Sequence, residues 1–338
     1  MKKLIIMAMC LATGISFSQH NEPIANDFEL NGQITMIHQS TGTPVEAVTN
    51  VNKGTPVLAV GTVDQVVVPE GFIKLERNKV AVRQVGDLNQ ALGEQNGLGN
   101  MSLIRQNNSN FLPGQVGNLA STEQLGYGNG ADIKQYGDGN KGRVYQFGDD
   151  NYTIQDVGND DAMNAEGNFA YANQRGDGNR ISQKQRYDNN EATVLSWGDG
   201  NLVVQEQSSG PNHSSGSVAF VNQIGDENSV QQKQVGSNNS ASVYQTGDRN
   251  TSIETQTMIG DFSDYINIST VNQVGDDNIS IVTQDADLAN NSSCVNQMGN
   301  ENSSLVKQTS VLGVKNASCI KQTGNMNTAQ VTQTNNAF

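Results

Sequence analysis

Apolar and polar positions alternate along most of the chain in a pattern that recurs about every eleven residues. Counting back from a recurrent glutamine, the residue two positions earlier is usually Val or Ile, and the residue four positions earlier is usually Ala, Ser or Gly. Because alternate residues of a β-strand face the same side, these three positions share one face. The pattern therefore predicts strands with a partly amide-lined inner face and mixed polar residues on the outer face.

A short polar turn follows each predicted strand, as in Gln135-Tyr-Gly137-Asp-Gly-Asn140, with glycine two and asparagine five positions after the glutamine. Gly and Asn tolerate the left-handed backbone of tight turns, and Asp forms local hydrogen bonds there. Each unit is thus one strand and one turn, and two units return the chain to its starting side. A fixed period of this kind marks a repeat architecture. We predict an all-β fold, a two-sheet parallel β-solenoid of strand-turn-strand coils.

The register defines 22 units from Gln84 to Gln333, hence about 11 coils of about 22 residues. Only Ser196 replaces the glutamine. The units that begin at Gln106 and Gln115, and the one that ends at Gln155, are two residues short. Stretched coils, where we expect bulges or loops, lie around residues 156–168, 208–217, 257–267, 285–292 and 309–315. At ~4.8 Å per stacked strand, the array is predicted to be roughly 50 Å long.

Stacked glutamines and asparagines can hydrogen-bond from coil to coil along a sheet. A buried amide without a partner costs about 1–3 kcal/mol, so such a ladder requires neighbouring coils to keep register. Amides that merely filled space would not hold a fixed position relative to Val and Ala, which favours the ladder. The predicted ladder residues are Gln84, Asn89, Gln95, Gln135, Asn140, Gln146, Gln174, Asn179, Gln223, Asn228, Gln234, Gln245, Asn250, Gln273, Asn278, Gln297, Asn302, Gln322, Asn327 and Gln333. The predicted turn glycines are Gly86, Gly137, Gly148, Gly176, Gly225, Gly247, Gly275, Gly299 and Gly324.

Composition changes this picture little. Apolar residues make up 35% of the chain, aromatic residues 5% and charged residues 16%, whereas globular domains carry about 45–50% apolar residues. Two interpretations remain: a disordered chain, or a fold held largely by backbone and amide hydrogen bonds. Disorder predicts no periodicity, so the strict spacing favours the second interpretation.

The N-terminus predicts a secreted protein. Residues 1–18 form a secretory signal peptide with a basic start at Lys2 and Lys3, an apolar stretch and a small-residue cleavage site. The apolar stretch is too short to span a bilayer, and no second one follows, so we expect no integral membrane segment. Residues 19–79 lack the repeat and are interpreted either as a partial cap on the first coil or as a loose export segment. Residues 80–338 form the repeat solenoid.

Two copies of the repeat, Gln322-x-Gly324-x2-Asn327-x-Ala329-x3-Gln333 and Gln84-x-Gly86-x2-Asn89-x-Ala91-x3-Gln95, fit the second part of the curlin pattern Ser-x5-Gln-x-Gly-x2-Asn-x-Ala-x3-Gln. The chain therefore resembles the curlins, the subunits of the bacterial amyloid fibre curli, over about three quarters of its length. The array is longer than in the familiar curlins. The resemblance implies an extracellular fibre subunit at the surface of a Gram-negative-type bacterium, with a role in biofilm matrix and adhesion. It also implies two partners besides the chain itself: a nucleator subunit and an outer-membrane secretion pore.

The C-terminal end predicts how such a subunit assembles. The last predicted strand, residues 328–333, is followed only by residues 334–338, so we expect an uncovered strand edge. Head-to-tail pairing of this edge with the next subunit would extend one continuous ladder. The alternative is a monomeric β-solenoid surface adhesin, which requires a capped C-terminal coil and a patterned outer face.

The formal charge of −14 argues against nucleic acid as a partner, because such partners need a basic stripe. Asp follows the turn glycine at Asp87, Asp138, Asp149, Asp177, Asp199, Asp226, Asp248 and Asp276. Stacked carboxylates repel and would slow premature aggregation, so we expect faster fibre growth at pH 5 than at pH 8. Calcium in the turns is the alternative, but the Gly-Gly-x-Gly-x-Asp repeats of calcium β-rolls are absent. No metal or cofactor site is predicted.

Cys294 and Cys319 each stand three positions before a unit glutamine, one coil apart. We expect them to be stacked neighbours on the outer face, within the Cα separation of about 4.4–6.8 Å that a disulfide requires. A disulfide and a chance placement of two unpaired cysteines both remain open. The sequence carries no metal-binding, phosphate-loop or nucleophile motif, so we predict that the protein is not an enzyme.

Overall fold

The computed structural model describes residues 34–39, 45–47, 63–66, 78–86, 88–108, 116–158, 165–210, 215–259, 265–311 and 313–335. The predicted signal peptide, residues 1–18, lies outside the described residues. Within the described ranges, no helix is long and apolar enough to cross a membrane.

The described residues form 23 β-strands. They are β1 Ile34–Gln39, β2 Val45–Ala47, β3 Lys79–Val85, β4 Gln90–Leu98, β5 Met101–Asn107, β6 Leu119–Tyr127, β7 Gly130–Tyr136, β8 Lys141–Phe147, β9 Tyr152–Val157, β10 Phe169–Arg175, β11 Arg180–Arg186, β12 Glu191–Trp197, β13 Leu202–Ser208, β14 Val218–Ile224, β15 Ser229–Val235, β16 Asn239–Thr246, β17 Thr251–Ile259, β18 Asn267–Val274, β19 Ile279–Asp287, β20 Asn290–Met298, β21 Ser303–Val311, β22 Lys315–Thr323 and β23 Thr328–Asn335.

Successive strands alternate between two sheets. Sheet A has the order β1-β22-β20-β18-β16-β14-β12-β10-β8-β6-β4, and sheet B has the order β2-β23-β21-β19-β17-β15-β13-β11-β9-β7-β5-β3. From β3 onwards, each strand pairs in parallel with the strand two further along the chain, so one strand of each sheet makes one coil. The prediction of an all-β, two-sheet parallel β-solenoid is confirmed.

The interior between the two sheets is filled by small and branched apolar side chains together with glutamine amides. Strand registers place like residues on top of one another, for example Val221 beside Val243 and Gln223 beside Gln245. The buried apolar residues form two clusters along the solenoid, one between Ile104 and Val144 and one between Ala172 and Val331, and the glutamines beside them are just as buried. Burying a Val side chain contributes roughly 1.5–3 kcal/mol. The sum over many buried valines and isoleucines therefore takes the place of the large apolar core that the composition excludes.

The number of repeat strands is one smaller than predicted. Setting aside β1 and β2, which precede the repeat, leaves 21 of the 23 strands, against the 22 units expected. The predicted unit at Gln115 lies outside the described residues, and the strands on either side, β5 and β6, follow one another in different sheets. Two of the stretched segments, residues 285–292 and 309–315, are accommodated largely by nine-residue strands rather than by long loops.

The register assigned to Gln155 was wrong. Gln155 pairs with Ile133 and Gln183, whereas Val157 pairs with Gln135 and Gln185. Val157 therefore occupies the unit glutamine position of β9, and Gln155 occupies the position of the branched residue. A shift of two residues keeps every side chain on its original face, so the alternation of apolar and polar residues cannot distinguish the two registers.

The C-terminal edge is covered, which corrects the expectation of an open one. β1 pairs with β22, with Ile37 beside Ile320 and Gln39 beside Gln322, and β2 pairs with β23. The cap therefore comes from the N-terminal segment and lies on the last coil instead of the first. Sequence inspection missed it because residues 34–39 follow the alternation of the repeat but lack its turn glycine and asparagine.

Among the described strands, the N-terminal end of the solenoid is open. Its edge strands are β3 in sheet B and β4 in sheet A. Val80 and Val82 hold interior positions of β3 yet remain 42% and 47% exposed, whereas equivalent valines in central coils are fully buried. These apolar side chains lack the covering coil that every central coil has.

Residues 63–66 lie against the outer face of sheet B. Val66 is buried with Tyr152 and Val204 in a small apolar cluster. Asp64 exchanges two hydrogen bonds with the side chain of Gln231: its main-chain N–H donates at 3.2 Å, and its carboxylate accepts at 2.8 Å. The N-terminal segment is thus anchored at mid-solenoid as well as at the C-terminal end.

Candidate functional site

Glutamine amides form hydrogen-bonded ladders along both sheets. In each step the side-chain Nε2 donates to the Oε1 of the glutamine one coil nearer the C-terminus, as from Gln245 to Gln273 at 2.9 Å. The second Nε2 hydrogen reaches a carbonyl of the opposite sheet, as from Gln234 to Val218 at 2.8 Å. Each glutamine amide therefore forms one hydrogen bond to the neighbouring coil and one to the opposite sheet.

The sheet A ladder runs through Gln95, Gln124, Gln146 and Gln174, and resumes as Gln223, Gln245, Gln273, Gln297 and Gln322. The sheet B ladder runs through Gln84, Gln106 and Gln135, and resumes as Gln185, Gln207, Gln234, Gln256, Gln284, Gln308 and Gln333. Every predicted ladder glutamine lies in one of these rows.

Asparagine ladders follow the two turns of each coil and run in the opposite direction. Asn250 donates from its main-chain N and its Nδ2 to Oδ1 of Asn228, both at 3.0 Å, one coil nearer the N-terminus. Its Nδ2 also donates to the carbonyl of Gly275 at 2.7 Å. One asparagine thus donates three hydrogen bonds to the neighbouring coils on its two sides.

The structure divides the predicted asparagines between two columns. The first contains Asn78, Asn100, Asn129, Asn151, Asn179, Asn201, Asn228, Asn250, Asn278, Asn302 and Asn327. The second contains Asn89, Asn118, Asn140, Asn168, Asn190, Ser217, Asn239, Asn267, Asn291, Asn316 and Asn335. Counting five residues forward from a unit glutamine misses Asn118, Asn168, Asn267, Asn291 and Asn316. These asparagines do stand six residues before the next unit glutamine. The same spacing holds for every residue of the two columns that precedes a unit glutamine or Ser196.

Each break in a glutamine ladder leaves a buried oxygen without a partner. Gln223 follows Ser196, Gln185 follows Val157, and Gln155 follows Ile133 in the stack. The Oε1 atoms of all three glutamines are buried and accept no hydrogen bond. The cause is the same each time, because the residue one coil earlier has no amide that can donate.

Replacing Ser196 with Gln should close the gap between Gln174 and Gln223. The fully buried serine lies in register with both glutamines. A donor at this position would satisfy the Oε1 of Gln223, so S196Q is expected to raise the free energy of unfolding by about 1–3 kcal/mol. Denaturant unfolding measures this. S196A, which adds no amide, is the control, and an equal or lower stability of S196Q would show that the gap cannot hold the longer side chain.

A second glutamine row lies at the branched-residue position of sheet B and was not predicted. It runs through Gln155, Gln183, Gln205 and Gln232 and ends at Glu254. The Glu254 carboxylate is fully buried and accepts from Gln232 Nε2 at 2.8 Å and from Ser269 Oγ at 2.5 Å. Desolvation by burial raises the pKa of Glu254 to about 7, although these two hydrogen bonds act to lower it.

All nine predicted turn glycines have a positive φ, between 91° at Gly86 and 123° at Gly225. In the central coils they stack directly, so that the N–H of Gly198 donates to the carbonyl of Arg175 one coil earlier at 2.9 Å. A Cβ at Gly176 would overlap the carbonyl oxygen of Gly198. These positions therefore need glycine both for backbone conformation and for the close approach of neighbouring coils.

Six of the predicted aspartates stack in one column at a turn: Asp149, Asp177, Asp199, Asp226, Asp248 and Asp276. The Oδ1 of each accepts from a main-chain N–H one coil earlier, as from Asp177 to Asp199 at 2.7 Å. Asn300 and Asn325 continue the column with the same hydrogen bond. Asp138 lies at the other turn, where it accepts from Gly117, and Asp87 lies outside the described residues.

The structure joins Cys294 and Cys319 in a disulfide. They are register partners on β20 and β22, with a Cα–Cα distance of 4.5 Å. The bond lies on the outer face of the last coils and ties β22, the strand that carries the cap, to β20.

Aromatic side chains cluster on the outer face of sheet A. The rings of Tyr145 and Tyr171 lie 5.7 Å apart, and the guanidinium of Arg175 lies 5.4 Å from the Phe147 ring and 5.7 Å from the Trp197 ring. These rings and the guanidinium form one local aromatic cluster on a face that is otherwise mostly polar.

The two ends of the solenoid carry complementary ladder groups. At the C-terminal end, Oδ1 of the fully buried Asn327 has no hydrogen-bond partner. At the N-terminal end, Asn78 and Asn89 begin the two asparagine columns, and Gln84 and Gln95 begin the glutamine ladders. In the asparagine ladder, Oδ1 accepts from the main-chain N and the Nδ2 of the next asparagine. The Oδ1 of Asn327 at one end therefore matches the donors of Asn78 at the other end.

These features define a class of protein: a β-solenoid repeat protein. Amide ladders join its neighbouring coils, and each end of the stack of coils is formed by the edge strands of the two sheets. The family model described as the curlin associated repeat matches residues 126–154 and 236–285. The predicted curlin repeat is thus confirmed in these two regions of the chain. The curated proteins contain no match to this chain.

Proposed function

We propose that the protein is a secreted curlin-like subunit that polymerises head to tail into extracellular fibres of a biofilm matrix and contributes to adhesion. The observation that carries the proposal is the open edge formed by β3 and β4. Val80 and Val82 expose there the side chains that all central coils bury. A strand edge of this kind pairs with another chain unless it is blunted or covered.

A second copy of the chain is the occupant that this edge fits. Stacking of β3 and β4 on the β23 and β22 of another subunit continues both sheets in register. It also aligns Asn78 with Asn327, and Gln84 with Gln333, so that each ladder crosses the junction.

The remaining parts of the proposal rest on the curlin repeat. A curli-type subunit is a structural protein rather than an enzyme, and its partners are other copies of itself. A nucleator subunit, an outer-membrane secretion pore and a location at the surface of a Gram-negative-type bacterium are proposed on the same basis.

Polymerisation can be tested on residues 19–338 released from denaturant, by thioflavin-T fluorescence and electron microscopy with and without preformed seeds. Seedable fibres with a ~4.8 Å meridional spacing are expected. V82K should abolish them, because docking would bury an unpaired ammonium group. R83E, on the outer face of the same strand, is the matched control and should still form fibres. A chain that stays monomeric with β circular dichroism would overturn the proposal.

A monomeric surface adhesin is the second candidate, and two observations favour it. The C-terminal edge is covered by β1 and β2, and the outer face of sheet A carries the aromatic cluster around Arg175. A soluble monomer that binds surfaces normally, and that loses binding on W197A, would favour this function over polymerisation.

The aspartate column offers a way to change the rate of assembly without breaking the fold. D199N with D226N removes two neighbouring charges and keeps the hydrogen bonds, because Asn300 and Asn325 already make them in the same column. Weaker repulsion between stacked coils should shorten the lag of fibre growth at pH 8 several-fold. E191Q with E206Q makes the same change of net charge outside the column, and an equal effect of both pairs would exclude a role for the column.

A further inference from the structure

The C-terminal edge of the solenoid is occupied by the chain's own N-terminal segment. We define the cap as β1 with β2, the docking edge as β22 with β23, and the open edge as β3 with β4. β22 pairs with β20 on one side and with β1 on the other, and β23 is likewise flanked by β21 and β2. A strand has only two pairing sides, so the docking edge cannot hold the cap and another subunit at once.

We infer that the cap is an intramolecular placeholder on the docking edge, and that the open edge of the next subunit displaces it when the fibre grows. The inference rests on the proposed head-to-tail polymerisation and adds to it a competition between two segments for one surface. In the folded monomer the cap then blocks the docking edge, while the open edge stays available to another subunit.

The first argument is the length of the pairing. The cap contributes six register pairs to β22 and three to β23. Within the solenoid the same two strands make nine pairs with β20 and eight with β21 on their other sides. The open edge offers strands of nine and seven residues, β4 and β3, so a second subunit can pair over more of the docking edge than the cap does.

The second argument is the asparagine ladder. Asn327 Oδ1 is buried at the docking edge and has no partner, although every earlier member of its column accepts from the next coil. The connection between β1 and β2, residues 40–44, contains no asparagine, and its last residue is Pro44, which lacks an N–H. Asn78 of the next subunit would supply the missing main-chain and side-chain donors.

The third argument is the tether. Val66 is buried against sheet B, and Asp64 bonds to Gln231, so the chain between the cap and β3 is held to the solenoid at mid-length. A tethered segment acts at a high effective concentration. It can therefore cover an edge before a second molecule arrives, even though it forms fewer hydrogen bonds than that molecule.

A reversible lock of the cap tests the inference. His38 and Lys321 are register partners on β1 and β22, the same relation that joins Cys294 and Cys319 on β20 and β22, whose disulfide has a Cα–Cα distance of 4.5 Å. In a C294S/C319S background, H38C with K321C should form a disulfide that holds the cap in place. Oxidised, this chain should grow fibres at least tenfold more slowly than the same chain after reduction. The C294S/C319S background itself should not respond to reductant.

A second measurement uses the locked chain as an additive. It retains the open edge, so it should dock on a growing fibre end and then offer no docking edge to the next subunit. One part in twenty should slow seeded growth of the unmodified chain several-fold, whereas deletion of residues 20–62 should shorten the lag. Equal growth of oxidised and reduced chains, with fibres forming in both, would overturn the placeholder and leave polymerisation intact. Absence of fibres in every variant would overturn the proposed function itself.

Discussion

Replacing Glu254 with Gln is expected to stabilise the folded chain by up to about 3 kcal/mol at pH 8 and by much less at pH 5. The carboxylate is fully buried, and desolvation raises its pKa from 4.5 in the unfolded chain to about 7 in the fold. Between these values the folded state binds more protons than the unfolded state, so stability falls as the pH rises from about 4.5 through 7. Each pKa unit corresponds to 1.36 kcal/mol, which gives the magnitude.

The variant fits the site because four glutamines already stack in the same row. Gln232 donates to Glu254 as each earlier glutamine donates to the next, and Val282 follows in the next coil. Denaturant unfolding at pH 5 and pH 8 measures the effect, in the V82K background so that the chain stays monomeric. E206Q, an outward carboxylate on β13, is the control. An unchanged difference between the two pH values in E254Q would assign the pH dependence to other groups.

Replacing Gly176 with Ala is expected to destabilise the fold by about 3 kcal/mol or more, whereas replacing Gly178 with Asn should cost less than about 1 kcal/mol. Gly176 has a φ of 116°, and an added Cβ would overlap the carbonyl oxygen of Gly198 in the next coil. Gly178 has a φ of 66°, with no atom within 4 Å of an added Cβ. Glu227 and Arg249 adopt a similar positive φ at the equivalent position of later coils.

Thermal or denaturant unfolding of the two variants separates the two demands on a turn glycine. Both substitutions place a side chain at positive φ, but only G176A also meets backbone of the neighbouring coil. Comparable losses in the two variants would mean that backbone conformation, and not the close approach of coils, fixes glycine at these turns.

The strands and the rows of stacked side chains follow from the sequence because each unit repeats the same three inward positions. Sequence-based errors arose where the spacing varied. Insertions fall between a strand and the asparagine that begins the next one, so counting forward from a glutamine loses Asn168 and Asn267, whereas counting back six residues from the next glutamine finds them. The physical reason is that the asparagine caps the start of a strand and is fixed to it by the ladder.

Two features needed the three-dimensional register. Glu254 stands where most strands carry Val or Ile, and only the stack shows that it ends a row of glutamines begun at Gln155. The cap pairs residues that are almost 300 positions apart in sequence, Gln39 with Gln322, and its strand lacks the turn residues by which the repeat is recognised. Local patterns predict which residues make a strand, but not which edge a non-repeat strand will cover.

The opposed directions of the amide ladders have an electrostatic consequence for long assemblies. The side-chain carbonyls of the two glutamine rows point towards the N-terminal end, and those of the two asparagine columns point towards the C-terminal end. Aligned dipoles in a single direction would add up to partial charges at the ends of a stack, as they do in a helix. Here the two unit-glutamine ladders oppose the two asparagine columns, so the amide dipoles largely cancel in coils outside the stretch from Gln155 to Gln232, where the further glutamine row adds to one direction. The number of stacked coils is then not limited by a growing macrodipole, while each end keeps its own set of donors and acceptors.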